Sequence, residues 1–219
     1  MISYEQIKNN EEIGAYIRAA DASLSALGFT EHSFAHVTRV ATVAGDLLAR
    51  LGYDEHTVEL TRIAGHMHDI GNLINRVDHS QSGAIMTFRI LDRLGMAPAD
   101  IAAICTAIGN HDEGTGVPVN EISAALILAD KSDVRSSRVR NTDESSFDIH
   151  DRVNFSVQNA TLDLDEKARE ITLTLTIDSA YSSVMDYFEI FLGRMLLCRR
   201  AAEKLGLAFR LNVNGQTLL

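Results

Sequence analysis

The stretch Gly65-His66-Met67-His68-Asp69-Ile70-Gly71-Asn72 places two histidines and an aspartate within four consecutive positions. Adjacent residues such as His68 and Asp69 point about 100° apart on a regular helix. Both side chains can therefore reach one metal ion only where the helix is distorted or ends, and Gly71 is placed to end it. Further residues of metal-ligand type lie on both sides of the pair: His36, His79, His111 and Asp130. The whole set, rather than the pair alone, predicts a metal site.

His32, His36 and Arg39 share one face of a predicted helix because they are spaced i, i+4 and i+7. Two histidines four residues apart can chelate one ion, or one can ligate while the other supports it. A solvated helix face is the better interpretation of this trio alone, but the nearby His68-Asp69 pair reverses that preference. Three other histidines are interpreted as packed or surface residues outside the site: His56, His66 and His150.

Asp130 follows the apolar segment 124–129, which is predicted to be a buried helix. A carboxylate at the end of such a helix needs a partner, because burying it without compensation is costly. The alternative is that Asp130 caps the next segment. Mixed imidazole and carboxylate ligands suit transition metals better than Ca²⁺. The predicted cofactor is one or two divalent ions of Mn, Fe, Ni, Co or Zn, with Mg as a further candidate.

The order and spacing of six residues, over about residues 30 to 135, resemble the pattern of the HD-domain superfamily of metal-dependent phosphohydrolases. These residues are His36, His68, Asp69, His79, His111 and Asp130. The resemblance implies an all-α catalytic domain in which one ion is held by His36, His68, Asp69 and Asp130. In members with two metals, Asp69 would bridge the ions while His79 and His111 hold the second. The implied reaction is hydrolysis of a P–O bond by metal-activated water, with His68 and Asp69 as catalytic candidates.

The segment Gly114-Thr-Gly116-Val117-Pro118 resembles, more weakly, the GYP motif of cyclic-di-GMP phosphodiesterases. That group has a second histidine where this chain has Asn110, a lysine where it has Asn72, and a glutamate ligand where it has His32. The resemblance therefore implies the metal set but not a cyclic-dinucleotide substrate. His32 is included as an additional candidate ligand.

Basic residues in the segments that border Asp69 and Asp130 are candidates for binding a substrate phosphate: Arg76, Lys131, Arg135, Arg138 and Arg140. For any one of the arginines, a solvated surface position is the alternative. Asp112 is the candidate for donating a proton to the leaving oxygen, with Glu113 as its neighbour in the same role.

Hydrophobic periodicity predicts helices over 5–27, 33–51, 58–70, 80–94, 99–108 and 122–132. Beyond residue 140, alternating residues predict strands at 153–157 and 171–177, then a helix over 180–204 and a last strand. The predicted fold is mainly α: an HD helical bundle at 1–140, a linker at 141–151 and a small α+β (β-β-α-β) unit at 152–219. The broad apolar surface of the last helix predicts core packing, with a homodimer interface as the second interpretation and a regulatory pocket as the third.

The composition is that of an ordinary globular protein, with 46% hydrophobic and 23% charged residues among 219. No apolar run approaches the length of about 18 residues that spans a bilayer. Neither a signal peptide nor a disulfide is predicted, and a cytoplasmic location is expected. The 20 basic and 30 acidic side chains give a net charge of −10, which disfavours binding to nucleic-acid polymers.

The sequence therefore predicts a metal-dependent phosphohydrolase that acts on a small phosphorylated molecule, either a nucleotide or a nucleotide-derived phosphoester. One alternative is a signalling or scaffold protein that has kept metal or nucleotide binding but lost turnover. Another is a diiron oxygenase on the same helical scaffold.

Overall fold

The computed structural model describes residues 2–219, in which a helical bundle precedes a small α+β unit. The bundle contains α1 (Tyr4–Lys8), α2 (Glu11–Ala26), α3 (Phe34–Arg50), α4 (Glu55–Met67), α5 (His79–Arg93), α6 (Pro98–Gly109) and α7 (Glu121–Lys131). Short 3-10 helices cover Ile70–Leu73, Ser136–Arg138 and Glu144–Ser146. The C-terminal part contains α8 (Ile149–Ser156), β1 (Val157–Asp165), β2 (Glu170–Ile177), α9 (Val184–Lys204), β3 (Ala208–Val213) and β4 (Gln216–Thr217). This order confirms the predicted fold class.

Several helices begin at a side chain that accepts hydrogen bonds from their first turn. The carboxylate of Asp54 accepts from the main-chain N–H of Thr57 at the start of α4. Asn10 accepts from Glu12 and Ile13 in the same way, so α1 and α2 are separate helices. The prediction of one helix over 5–27 was therefore wrong, because the cap at Asn10 restarts the chain.

Helix α7 lies at the centre of the bundle. Residues 122–129 are all buried, as expected for a helix that is apolar on every side. It packs against α3, α4 and α6, and α9 of the C-terminal part packs against it as well. The C-terminal end of α7 therefore carries Asp130 and Lys131 to a place that both parts of the chain can reach.

The four strands form one sheet in the order β1-β2-β3-β4. β1 and β2 are antiparallel, whereas β2 and β3 are parallel and joined by the crossover helix α9. Leu173 pairs with Leu211 across the parallel strands, and both are buried in the same hydrophobic core as the helices. On α3, Arg50 donates a hydrogen bond to the carbonyl of Leu164 in β1. The sheet is thus packed directly against the helical bundle.

The predicted strand at 153–157 was wrong over 153–156, because these residues form the end of α8 and the strand begins only at Val157. The carboxylate of Asp148 accepts a hydrogen bond from the main-chain N–H of Asp151 and starts the helix there. The alternation of Val153, Phe155 and Val157 is too short to exclude a helix turn. Helix α8 crosses the boundary placed between the linker and the C-terminal unit, and the division into domains stays a prediction.

Helix α9 buries one side and exposes part of the other. Tyr187, Phe191 and Met195 are buried, whereas Met185 and Leu192 are 74% and 50% exposed. The buried side fits the predicted core packing, and the homodimer stays a prediction. Among residues 2–219, no helix has the length and apolar character required to cross a membrane.

Candidate metal centre

The His68-Asp69 pair lies where α4 ends. The helix ends at Met67, His68 is its C-terminal cap, and a 3-10 helix begins at Ile70. The sequence analysis predicted that the helix has to end here for both side chains to reach one ion. The break lets them converge, and Nε2 of His68 lies 3.1 Å from Oδ2 of Asp69. Both residues are buried, and Asp69 lines a cavity.

Two further side chains complete a first group of ligand types around this pair. Nε2 of His36, on α3, lies 3.5 Å from Oδ2 of Asp69 and 3.4 Å from Oδ1 of Asp130. Nε2 of His68 lies 3.7 Å from the same oxygen of Asp130. Within the described chain, neither of these buried Nε2 atoms has a hydrogen-bond partner. Two histidines and two carboxylates therefore face one small volume.

A second group lies on the other side of Asp69. Nε2 of His79, at the start of α5, is 3.1 Å from Nε2 of His111, which follows α6. Oδ1 of Asp69 lies 3.5 Å and 4.0 Å from these two nitrogens. Asp69 thus turns one oxygen to each group, which is the arrangement of a carboxylate between two cations.

Hydrogen bonds at Nδ1 fix the orientation of the four imidazoles. Nδ1 lies 2.8 Å from the Gly65 carbonyl in His68, 3.0 Å from the Arg76 carbonyl in His79 and 2.6 Å from the Ile108 carbonyl in His111. In His36 it lies 2.8 Å from Oδ2 of Asp133. Because these acceptors hold a proton at Nδ1, Nε2 is the nitrogen that presents a lone pair to a cation when each imidazole is neutral. Two such lone pairs 3.1 Å apart repel unless a cation or proton lies between them.

The donor set fits divalent cations. Ligand atoms in two groups, His36-His68-Asp130 and His68-Asp69-His111, lie within 4.8 Å of one another. Imidazole and carboxylate together suit first-row transition metals. This fit depends on two observations. The buried Nε2 atoms of His36 and His68 have no hydrogen-bond partner among residues 2–219, and the two oxygens of Asp69 face different groups of ligand atoms.

The charges of the group are strongly coupled. Burial opposes the charge of the His68 imidazolium, but Asp69 and Asp130 outweigh it and raise the pKa of His68 to about 10. Burial also opposes the charges of Asp69 and Asp130, yet the neighbouring cations hold the pKa of both carboxyls well below the usual range. For His111, burial lowers the pKa well below the usual value. Both carboxylates are therefore ionised at neutral pH, and metal binding has to displace the proton of His68.

Comparison with known proteins identifies a family whose domain contains these residues. The model of the HD domain matches residues 33–138, which include every residue of both groups. Residues 33–138 form an HD domain. HD domains bind divalent metals, so membership supports a metal-dependent phosphohydrolase in general.

Two relatives were also found. An uncharacterized protein of Methanocaldococcus jannaschii, MJ1020, is 21% identical over 208 residues, which cover 84% of this chain and 80% of the relative. A crystal structure of a predicted HD superfamily hydrolase from an uncultured Thermotogales bacterium is 25% identical, with a TM-score of 0.46. That match covers 57% of this chain and 68% of the other.

The cavity above the HD-domain residues has a volume of about 390 Å³. Of the basic residues predicted to bind phosphate, Arg76, Lys131 and Arg138 line it. Arg135 and Arg140 do not, because Arg135 donates to both carboxylate oxygens of Asp133 and Arg140 pairs with Asp21 on the surface. The structure thus places Arg135 outside the cavity lining, and substrate binding by Arg135 stays a prediction.

The two candidate proton donors, Asp112 and Glu113, differ in whether they line the cavity. Asp112 does not line the cavity, and its carboxylate lies 3.4 Å from the main-chain nitrogen of Gly114. Glu113 does line it, but it pairs with Lys131 at 2.8 Å and Arg194 at 2.9 Å. Burial alone would raise the pKa of Glu113, yet these two cations hold it well below the usual range. The structure therefore supports neither residue as a proton donor.

The remaining histidines divide between the site and the core. His32 lines the cavity, with its ring 5.5 Å from that of His36, but it belongs to neither close group of ligand atoms among residues 2–219. His32 stays a proposed additional ligand. His66 is buried between Tyr4 and Phe34, and burial lowers its pKa to about 4. His150, left out of the site by sequence reasoning, lies on α8 at the cavity wall.

Sequence reasoning also missed Asp133. Its buried carboxylate accepts the Nδ1 hydrogen bond of His36 and pairs with Arg39 at 3.1 Å and Arg135 at 2.6 Å. A carboxylate in this position fixes the ring orientation of a ligating histidine and raises its basicity. The signal in the sequence was an aspartate three residues after Asp130, followed by arginines.

Replacing Asp133 by asparagine (Asp133→Asn) is expected to weaken binding of the first metal ion roughly tenfold to a hundredfold. The amide removes the charge that orients His36 and supports its basicity. Calorimetric titration of Mn²⁺ into metal-free protein measures the effect. Asp100→Asn is the matched control, since it disrupts the Asp100–His56 pair outside the site. An unchanged dissociation constant in Asp133→Asn would show that Asp133 only balances arginine charge.

Proposed function

We propose that the protein is a metal-dependent phosphohydrolase that hydrolyses a P–O bond of a small phosphorylated molecule, a nucleotide or a nucleotide-derived phosphoester. The observation that carries the proposal is the position of Asp69. Its two oxygens face two separate sets of imidazole nitrogens at the floor of a cavity whose walls carry arginines. A cavity of this volume lies in the range of small-ligand sites.

Two cation positions follow from the ligand groups. His36, His68, Asp69 and Asp130 would hold one ion, and Asp69 with His79 and His111 would hold the other. A bound divalent ion supplies Lewis acidity that polarises a phosphoryl oxygen and activates water.

Arg76 is the basic residue best placed to bind the phosphoryl group. Its Nη1 lies 3.4 Å from Nε2 of His79 and 3.4 Å from Oδ1 of Asn72, and the guanidinium lies 5.8 Å from the Phe29 ring centroid. It therefore brings a fixed positive charge next to the second ligand group. A planar guanidinium offers paired donors to phosphoryl oxygens, and Phe29 offers an apolar surface beside them.

The surrounding chain holds Asp69 in place and keeps water from the ligands. Nδ2 of Asn72 donates to Oδ1 and to the main-chain carbonyl of Asp69, both at 2.9 Å. The side chains of His36 and His68 are completely buried, and that of Asp69 is 6% exposed. This rigidity favours a site that is formed before substrate binds.

A panel of phosphoesters tests the proposal. Metal-free protein should release no phosphate from nucleotides or p-nitrophenyl phosphate, and added Mn²⁺, Co²⁺ or Ni²⁺ should restore release. The panel includes nucleoside monophosphates and bisphosphates, followed by phosphate release, and cyclic nucleotides, followed by formation of the nucleoside monophosphate, so that mono- and diester hydrolysis are separated. Tight metal and nucleotide binding without turnover on any member would favour the scaffold alternative. Bound iron with oxygen consumption and no phosphate release would favour the oxygenase.

A further inference from the structure

Helix α9, outside the matched HD domain, contributes a charged residue to the cavity. Arg194 lies on the buried side of this helix, on the same face as Tyr187, Phe191 and Cys198. It lines the cavity, and its side chain is only 24% exposed. A charge among buried apolar residues needs a partner, and a cavity position offers one from outside the protein.

One edge of the Arg194 guanidinium makes a hydrogen bond within the protein, and the other edge makes none among residues 2–219. Nε donates to Oε1 of Glu113 at 2.9 Å, and the guanidinium carbon lies 4.3 Å from the centroid of the Phe191 ring. Its two Nη atoms donate no hydrogen bond to any of residues 2–219. Arg194 therefore presents unused donors in a fixed orientation at the cavity wall.

Arg138 shows the same arrangement on another wall. Its Nε donates to the carbonyl of Glu31 at 2.8 Å and its Nη1 to the carbonyl of Asp133 at 2.7 Å, while Nη2 has no acceptor in the described chain. The side chain is 7% exposed. The Asp133 carboxylate lies 3.8 Å away, but it is shared with Arg39 and Arg135.

These positive charges are incompletely balanced. Burial lowers the pKa of Arg138 despite the opposing charges of three carboxylates, Asp133, Asp130 and Asp69, and the charge of Arg194 adds a smaller lowering effect. Lys131 lies between Asp130 and Glu113, at 2.8 Å from each. When Asp130 ligates a cation, Glu113 is the nearest carboxylate left to Lys131 and Arg194. An anion between Arg138 and Arg194 would relieve their repulsion.

The position of Arg194 is distinct from the metal centre. Between Arg194 and the candidate ligand Asp130 stand two ion-paired side chains, Glu113 and Lys131. Arg194 pairs with Glu113 rather than with a candidate metal ligand, and it lines the same cavity as Asp69 and Asp130. A substrate whose phosphoryl group contacts the metal ligands can therefore offer Arg194 a second anionic group.

We propose that Arg138 and Arg194 form an anion subsite that binds a second phosphate or carboxylate group of the substrate. The proposal rests on the phosphohydrolase function and narrows its substrate class to phosphoesters with a further anionic group. It also gives the C-terminal unit a part in substrate recognition. Arg194 supplies affinity for the substrate and takes no part in bond cleavage.

Binding of inorganic phosphate to metal-free protein tests the subsite without turnover. Metal-free carboxylates repel anions from the ligand groups, and because Arg76 also lines the cavity, the subsite is measured as the part of phosphate binding that is lost when Arg138 or Arg194 is replaced. Arg194→Gln and Arg138→Gln should each weaken phosphate binding by at least about tenfold, as expected for a charged hydrogen-bond donor. Arg194→Lys, which keeps the charge and can keep the Glu113 pair, should lie between them and the wild type. Arg200→Gln, at an exposed position of the same helix, is the matched control and should bind like the wild type.

Two further measurements identify the anion and its place on the substrate. Competition between malonate and phosphate in the same titration separates a carboxylate from a phosphate preference. With Mn²⁺ bound, Arg194→Gln should raise KM at least about tenfold for adenosine 3′,5′-bisphosphate and less than about twofold for AMP, with kcat unchanged for both.

Wild-type phosphate affinity in a folded Arg194→Gln protein would overturn the subsite, as would an equal rise of KM for both substrates. Thermal denaturation establishes that each variant is folded. If no phosphoester is hydrolysed, the phosphohydrolase proposal fails, while the calorimetric titration still decides whether the anion subsite exists.

Discussion

Asp69→Asn is expected to abolish metal-dependent phosphate release, with a loss of roughly a thousandfold or more. The carboxylate lies between the two ligand groups, so its replacement affects both at once. Wild-type protein should hold two ions per chain, and the variant should hold one or none. Metal analysis of protein purified without chelator, together with phosphate-release rates, measures both effects.

The fold of Asp69→Asn should remain intact. The neighbouring cations hold the pKa of Asp69 well below its usual range, so the carboxylate stabilises the metal-free protein, and its loss should lower the melting temperature without unfolding the chain. The increase in melting temperature that Mn²⁺ gives the wild type should disappear, because stabilisation by a ligand depends on its affinity. Asp163→Asn, at an exposed position of β1, is the control and should retain both ions and full activity. Full metal content and full activity in Asp69→Asn would contradict the assignment of Asp69.

The metal-ligand types could be predicted because their signal lies in the order of the chain. Each lies at or near a helix end, and the break after Met67 that brings His68 and Asp69 together was required by helix geometry alone. The convergence of His36 and Asp130 on that pair could not be derived from periodicity. It followed from the family resemblance, and α3 and α7 deliver them by packing side by side.

The residues that sequence reasoning missed act through tertiary contacts. Asp133 acquires its role from the ring of His36, which lies 97 positions away in the chain. The sequence contains one indication of the role of Arg194: it places a charged residue at the centre of the buried face formed by Tyr187, Phe191 and Cys198. An unpaired charge on such a face predicts a partner or a cavity. The wide apolar surface was instead interpreted as core packing, a dimer interface or, third, a regulatory pocket.

Gly71 was singled out correctly but for the wrong reason. It was expected to end α4, yet α4 ends at Met67, and Gly71 is not among the glycines with positive φ. It lies inside the 3-10 helix Ile70–Leu73, against the first turns of α5. A Cβ there would collide with the carbonyl oxygen of His79 and lie 2.5 Å from the main-chain nitrogen of Gly83. The requirement is space between two segments of backbone, which no local pattern encodes.

Gly71→Ala is therefore expected to lower the free energy of unfolding by about 3 kcal/mol or more. Both atoms that meet the new methyl group belong to the backbone of α5, so the 3-10 helix and α5 have to separate. That separation moves Asp69 away from His79, and the variant should also lose metal at the second position. Urea unfolding of metal-free protein measures the first effect, and metal analysis of the folded fraction measures the second.

Gly193→Ala is the matched control for this prediction, because it adds the same methyl group in the exposed part of α9. A Cβ at Gly193 has no neighbouring atom within 4 Å by the same criterion, and helical alanine is favoured over glycine. We expect it to raise the free energy of unfolding by about 0.5–1 kcal/mol. The two substitutions therefore differ in sign as well as in size. Equal stability of Gly71→Ala and the wild type would mean that the close approach of the 3-10 helix to α5 does not hold the candidate ligands in place.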